Sequence, residues 1–178
     1  MKKRSLDALE RPDIETFKSQ KKEEVVIILD NVRSLHNVGS IFRTADAFSI
    51  AALYLCGITG KPPHKEIHKT ALGATESVYW QYFEKISDAI NYIKSKGYTV
   101  YIIEQTDASM NLIDFMPQEN TKMAFVFGNE VHGVSDEALE QADYALEIPQ
   151  LGTKHSFNVA VCTGIILWDY FIKTKSRH

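Results

Sequence analysis

The run Val25-Val26-Ile27-Ile28-Leu29 narrows the possible folds more than any other stretch of the chain. It is uninterrupted and mostly β-branched, so it reads as a strand buried on both faces, as in a largely parallel sheet covered by helices on either side. A polar turn with Asn31, Arg33, Ser34, His36 and Asn37 follows, and Gly39 then opens a helical pattern that puts Ile41, Phe42, Ala45 and Phe48 on one side. Asn37, Gly39 and Arg43 are thereby gathered at the carboxyl end of a strand, where open α/β sheets place ligands. A plain strand–turn–helix with a solvated Arg43 accounts for this stretch equally well.

The chain continues in alternating strands and helices. Strands are expected at Glu24–Leu29, Ala51–Cys56, Val78–Phe83, Tyr98–Ile103, Met123–Phe127 and Tyr144–Ile148. Helices are expected over His64–Leu72, from a Ser87 cap to Lys96 with Gly97 as the stop, over Asp136–Gln141 behind a Ser135 cap, and over Ser156–Lys173. Residues 1–22 form a polar basic arm or short helix, with Leu6, Leu9, Ile14 and Phe17 weakly patterned and Pro12 interrupting. Residues 23–178 form one α/β domain. The long connection Gly57–Thr75 is of a length that tends to carry function.

No apolar run is long enough to span a membrane, and no signal segment opens the sequence, so the expected location is cytoplasmic. Cys56 and Cys162 sit among apolar neighbours and read as reduced core residues. No Cys/His set has metal spacing, and no metal is expected. Net charge is −3, yet basic residues cluster at Lys2-Lys3-Arg4, at Lys18, Lys21 and Lys22, at Lys61, Lys65 and Lys69 with His64 and His68, and at Lys173, Lys175 and Arg177. Local patches of this kind leave a nucleic-acid partner open, although each alone is more often a solvated face.

Two further turns carry polar groups at strand ends. Phe127-Gly128-Asn129-Glu130-Val131-His132-Gly133-Val134-Ser135 offers backbone N–H groups and one carboxylate, with Gly128 and Gly133 free to adopt unusual backbone shapes. Glu147-Ile148-Pro149 leads through a Gly/Pro loop to Ser156-Phe157-Asn158. Ser156 reads as the cap of the closing helix. Asn158, placed inside that helix, has no structural reason to be there. The phosphate-binding P-loop, the dinucleotide Gly-x-Gly-x-x-Gly and the Gly-x-Ser-x-Gly elbow are all missing.

Three segments in order, Asn37-Val-Gly39-Ser-Ile-Phe-Arg43, Phe127-Gly128-Asn129-Glu130-x-x-Gly133, and Ile148-Pro149 through Ser156-Phe157-Asn158-Val159-Ala160, resemble the SpoU (TrmH-type) RNA 2′-O-ribose methyltransferases of the SPOUT superfamily. The similarity covers roughly residues 20–172. It implies an α/β fold with a mostly parallel sheet, helices on both faces and a C-terminal deep trefoil knot. It further implies an enzyme that transfers a methyl group from S-adenosylmethionine to a ribose 2′-hydroxyl in RNA. The expected substrate is tRNA ahead of rRNA, with a guanosine of the D-loop as first guess, because relatives without an added RNA-binding domain act more often on tRNA.

Carried over by motif, the catalytic set is Arg43, Asn37, Glu130, Ser156 and Asn158, and the cofactor-binding set is Glu104, Gln105, Thr106, Gly128, Ile148, Ser156 and Phe157. Gln150 and Phe157 stand where the family usually has Met and Leu, which alters the cofactor's walls and keeps the polar positions. A guanidinium stays protonated, so Arg43 is expected to act electrostatically rather than as a base. The closing helix is apolar on most sides, with Phe157, Val161, Ile165 and Trp168 on one face and Val159, Cys162, Ile166 and Leu167 on another. A homodimer through this helix supplies the missing cover. An rRNA-directed relative and a catalytically silent RNA-binding protein are the alternatives.

Overall fold

Each residue from Val25 to Leu29 is fully buried or nearly so, as a strand covered on both faces must be. In the computed structural model, which describes residue 1 and residues 11–118 and 121–175, this strand is β1 (Glu23–Asp30). Six more follow: β2 (Ile50–Cys56), β3 (Trp80–Phe83), β4 (Tyr98–Ile103), β5 (Met110–Asn111), β6 (Lys122–Phe127) and β7 (Tyr144–Glu147). They form one sheet in the order β3-β2-β1-β6-β4-β7-β5, and every pairing is parallel. The α/β reading therefore holds.

The helices are α1 (Ile14–Ser19), α2 (Leu35–Ala47), α3 (Lys65–Ala71), α4 (Ala74–Ser77), α5 (Ile86–Ser95), α6 (Asp136–Gln141) and α7 (Val159–Lys175). The two-residue period of β1 divides them. Val25, Ile27 and Leu29 enter a core shared with α2, α3 and α7, while Val26 and Ile28 enter one shared with α5 and α6. Helices thus lie on both faces. Among the described residues no helix is long and apolar enough to cross a membrane.

Several local expectations are corrected. Helix α2 begins at Leu35, capped by the Ser34 hydroxyl, so Asn37 lies in its first turn and Gly39 does not open it. Gly39 is instead the point of close approach to α3, where a Cβ would meet the Ile67 carbonyl oxygen at 2.4 Å. Helix α5 starts after Lys85 with no side-chain cap, because Ser87 is already inside it. The short β5 and the single turn of α4 were not expected from the sequence; neither is long enough to show a period. The arm contains α1, capped by Asp13; Lys2, Lys3, Arg4, Leu6, Leu9 and Arg177 lie outside the described residues.

Candidate functional site

The carboxyl ends of β4, β6 and β7 open into a cavity of about 760 Å³. Glu104 and Gln105 enter it from the end of β4, Gly128 and Glu130 from the turn after β6, and Ile148, Ser156, Phe157 and Asn158 from the segment between β7 and α7. The structure therefore brings together every cofactor-binding candidate except Thr106, which stays in the 104–109 turn and is not part of the cavity wall. Of the catalytic candidates, Glu130, Ser156 and Asn158 line the cavity.

Asn37 is outside the wall but tied to it. Its Nδ2 donates to Glu130 Oε1 at 3.0 Å, and its Oδ1 accepts from Asn158 Nδ2 at 3.1 Å. Glu130 also accepts from the Arg33 and Ser34 backbone N–H groups at 3.0 and 3.1 Å. One carboxylate thus satisfies donors at the start of α2 that the helix itself leaves unpaired. Burial raises the Glu130 pKa, but the hydrogen bonds from Arg33, its own N–H, Asn37 and Ser34 outweigh it and hold the carboxyl below the usual glutamate range.

Asn158 has a structural reason after all. Helix α7 starts at Val159, and Asn158 Oδ1 accepts from the Ala160 and Val161 N–H groups at 2.9 and 3.3 Å. Asn158, not Ser156, is the capping side chain. Its amide has two ends with two tasks: the oxygen starts α7 and the nitrogen reaches Asn37 across 121 residues of sequence.

The turn after β6 is held from beneath. Glu104 Oε2 accepts from Val134 N–H at 3.1 Å, and its Oε1 accepts from Gln105 N–H at 3.0 Å. Gly133 has φ +70°, a left-handed backbone that disfavours side chains. Gly128 is needed for a different reason: a Cβ there would lie 2.1 Å from the Gly133 carbonyl carbon.

Sequence reasoning missed Asp30, Asn31 and Asn129 as site-building residues. Asp30, fully buried at the end of β1, accepts from Ser135 N–H at 2.8 Å and from Asn31 Nδ2 at 2.8 Å. Asn129 Nδ2 donates to the Asn31 carbonyl at 2.7 Å, and its Oδ1 accepts from Val131 and His132 N–H groups. The one sequence signal was an acid closing an otherwise apolar strand, since a buried carboxylate needs specific donors.

Arg43 stands apart. It is exposed on α2, outside the wall of the cavity, and its side chain has no hydrogen bond or ion pair among the described residues. Cys56 is buried as expected, whereas Cys162 lies in the cavity wall, its thiol pushed up to about 12 by burial and then by the nearby Glu104. Among the described residues no group of His, Cys, Asp or Glu is arranged to hold a metal ion.

Comparison with known proteins gives this geometry a family. The model of the SpoU rRNA Methylase family matches residues 24–168. The chain is 34% identical over 160 residues to the tRNA (guanosine(18)-2'-O)-methyltransferase of Thermus thermophilus, covering 89% of this chain and 80% of that protein. The crystal structure of the A. aeolicus TrmH/SpoU tRNA modifying enzyme superposes with a TM-score of 0.80 at 27% identity, over 92% of this chain and 83% of that one. An AdoMet-bound rRNA methyltransferase from Sinorhizobium meliloti superposes with a TM-score of 0.77 at 26% identity, over 86% of this chain and 58% of that one. With two of the family's motif segments walling the cavity and the first tied to its rim through Asn37, the chain belongs to the SpoU methylase family.

Proposed function

We infer that this protein is an S-adenosylmethionine-dependent RNA 2′-O-methyltransferase whose substrate is tRNA, with a D-loop guanosine as the modified nucleotide. The hydrogen-bonded chain Glu130–Asn37–Asn158 carries the reading, because it draws all three motif segments to one rim of the cavity. The relative named for guanosine 18 supports the choice of tRNA.

The cavity suits the cofactor. Its volume lies in the range of small-molecule sites. Its wall includes the carboxylates of Glu104, Glu130, Asp136 and Glu147 and, among the described residues, no Lys or Arg, a balance that favours a cationic sulfonium. When bound, S-adenosylmethionine supplies an electrophilic methyl group. The chain's own part is positioning: Asn158 and Ser156 stand at the rim to orient the ribose, Glu130 holds Asn37, and a 2′-oxygen fixed in line needs little further ordering.

The finer features belong to the same reading. By its resemblance to the family, the C-terminal part of the chain is threaded into a deep trefoil knot. On α7, Val161 and Trp168 are more than half exposed, and Phe171 and Ile172 are 37% exposed, although an apolar face of this kind calls for cover. A second copy of the chain seated on α7 provides it. Because α2 packs beside α7, such a dimer brings Arg43 of one copy toward the cavity of the other, where its cation stabilises the developing alkoxide. Nucleoside mass spectrometry of tRNA incubated with the protein and S-adenosylmethionine tests the function. A 2′-O-methylated guanosine is expected, and unmodified tRNA beside modified rRNA would redirect the substrate.

A further inference from the structure

The outer side of α2 and α3 carries a ridge of basic side chains that, Arg43 apart, the methyl-transfer site does not use. Helix α3 contains Lys65, His68 and Lys69, all exposed, with Glu66 as its one acid. That acid is already occupied: Glu66 Oε2 meets His36 Nε2 at 2.7 Å, and its Oε1 meets Lys69 Nζ at 2.8 Å. The His36 and Lys69 hydrogen bonds hold the Glu66 carboxyl down at about 2, so its charge persists and is covered by its two partners. The side chains of Lys65, His68, Arg33 and Arg43 make no hydrogen bond or ion pair among the described residues.

These groups are continuous rather than scattered. Thr70 Oγ1 donates to the His36 carbonyl at 3.0 Å, and α3 lies against the bare backbone of Gly39, so α3 is clamped along α2. His36 and Arg43 are seven residues apart on α2, nearly in line on one side of the helix. At the other end, His36 is next to Asn37, and Arg33 N–H is held by Glu130 at the cavity rim. The ridge thus begins at the site and runs outward over the flank of the sheet, on a chain whose net charge is −3.

We propose that this ridge, from Arg33 and His36 to Lys65, His68 and Lys69, is a phosphate track that seats the RNA backbone flanking the methylated nucleotide. The proposal rests on the function inferred above. The exposed Arg33, Lys65 and Lys69 side chains beside a cavity can contact phosphates without reading bases, and each such contact adds to the salt dependence of binding. Glu66 acts within the ridge as a positioning residue, holding His36 and Lys69 at fixed spacing.

The test compares tRNA affinity across a salt series for the full-length protein and three variants. Lys65→Ala/Lys69→Ala should weaken binding by roughly tenfold at physiological salt and lower the slope of log affinity against log salt by about 0.7 to 0.9 per lysine. Lys65→Glu, which breaks no contact, should weaken binding as well. Lys96→Glu, on the opposite face of the sheet beside α5, should stay within about twofold of the parent. Calorimetric binding of S-adenosylmethionine, unchanged in all three, shows that each is folded. Equal tRNA affinity and equal salt slopes in the parent and the α3 variants would overturn the track while leaving the methyltransferase reading intact. A parent protein that binds the cofactor but no RNA overturns both.

Discussion

Asn37 and Asn158 meet through a single 3.1 Å hydrogen bond that joins the first turn of α2 to the first residue before α7. Each amide is already engaged elsewhere, Asn37 with Glu130 and Asn158 with the N–H groups of Ala160 and Val161. The bond therefore fixes the two helix starts relative to each other, and the rim between them is preorganised before any ligand arrives.

Asn158 separates fold from function. Asn158→Asp keeps the capping oxygen but loses the amide donor to Asn37, so thermal stability should change little while methyl transfer falls about tenfold or more. Asn158→Ala loses both, and should in addition cost roughly 1 kcal/mol of stability from the lost cap. Melting curves and turnover measured side by side check the split.

Glu130 gives the site an acid limit. Its folded pKa lies below the unfolded value of about 4.3, so the stability it contributes is present above that value and is lost as pH falls through the folded value. Cofactor binding by calorimetry should accordingly hold at pH 5 and weaken only in stronger acid. Glu130→Gln turns one acceptor into a donor facing either the Arg33 N–H or the Ser34 N–H and Asn37 Nδ2, and should weaken binding already at pH 7.

Trp168 probes the uncovered face of α7. It is 55% exposed and stacked on Phe171 at 5.9 Å between ring centres. Trp168→Glu puts a charge in the middle of that face, and light scattering should show a dimeric parent and a monomeric variant. A monomeric parent at micromolar concentration would remove the dimer from the proposal.

Arg43 distinguishes action within a subunit from action across one. Arg43→Ala should abolish most turnover and leave cofactor binding unchanged; Arg43→Lys should recover only part, since a flexible ammonium lacks the planar, preorganised donor fork of a guanidinium. Mixing Arg43→Ala with the separately impaired Asn158→Asp should raise activity above the sum of the two alone if Arg43 serves the partner's cavity. Failure of such mixtures to recover would place Arg43 with its own chain.

Much of the sheet was readable because its strands obey simple patterns. β1, β2, β4 and β6 are apolar runs, and their limits in the structure differ from expectation by only a residue or so. Gly97, with φ +82°, stops α5 where the sequence places the stop. Helix starts were less readable. Ser34 and Ser87 look alike in sequence, yet only Ser34 caps, because backbone geometry before α5 puts Lys85 at the boundary. The third segment shows the same limit: Ser156 and Asn158 both suit a cap, and tertiary contact with Asn37 favours Asn158. Asp30 was hidden for another reason. Its partner is a backbone N–H at Ser135, 105 positions away, and no local pattern encodes it.

The bonds from Glu130 to Arg33, Ser34 and Asn37, and from Asn37 to Asn158, span between 93 and 121 residues. During synthesis the early half of the chain therefore waits, its α2 start unclasped, until the turn after β6 leaves the ribosome. The rim closes only when α7 docks and holds Asn158 against Asn37, so a nascent or truncated copy ending before Val159 lacks the preorganised rim.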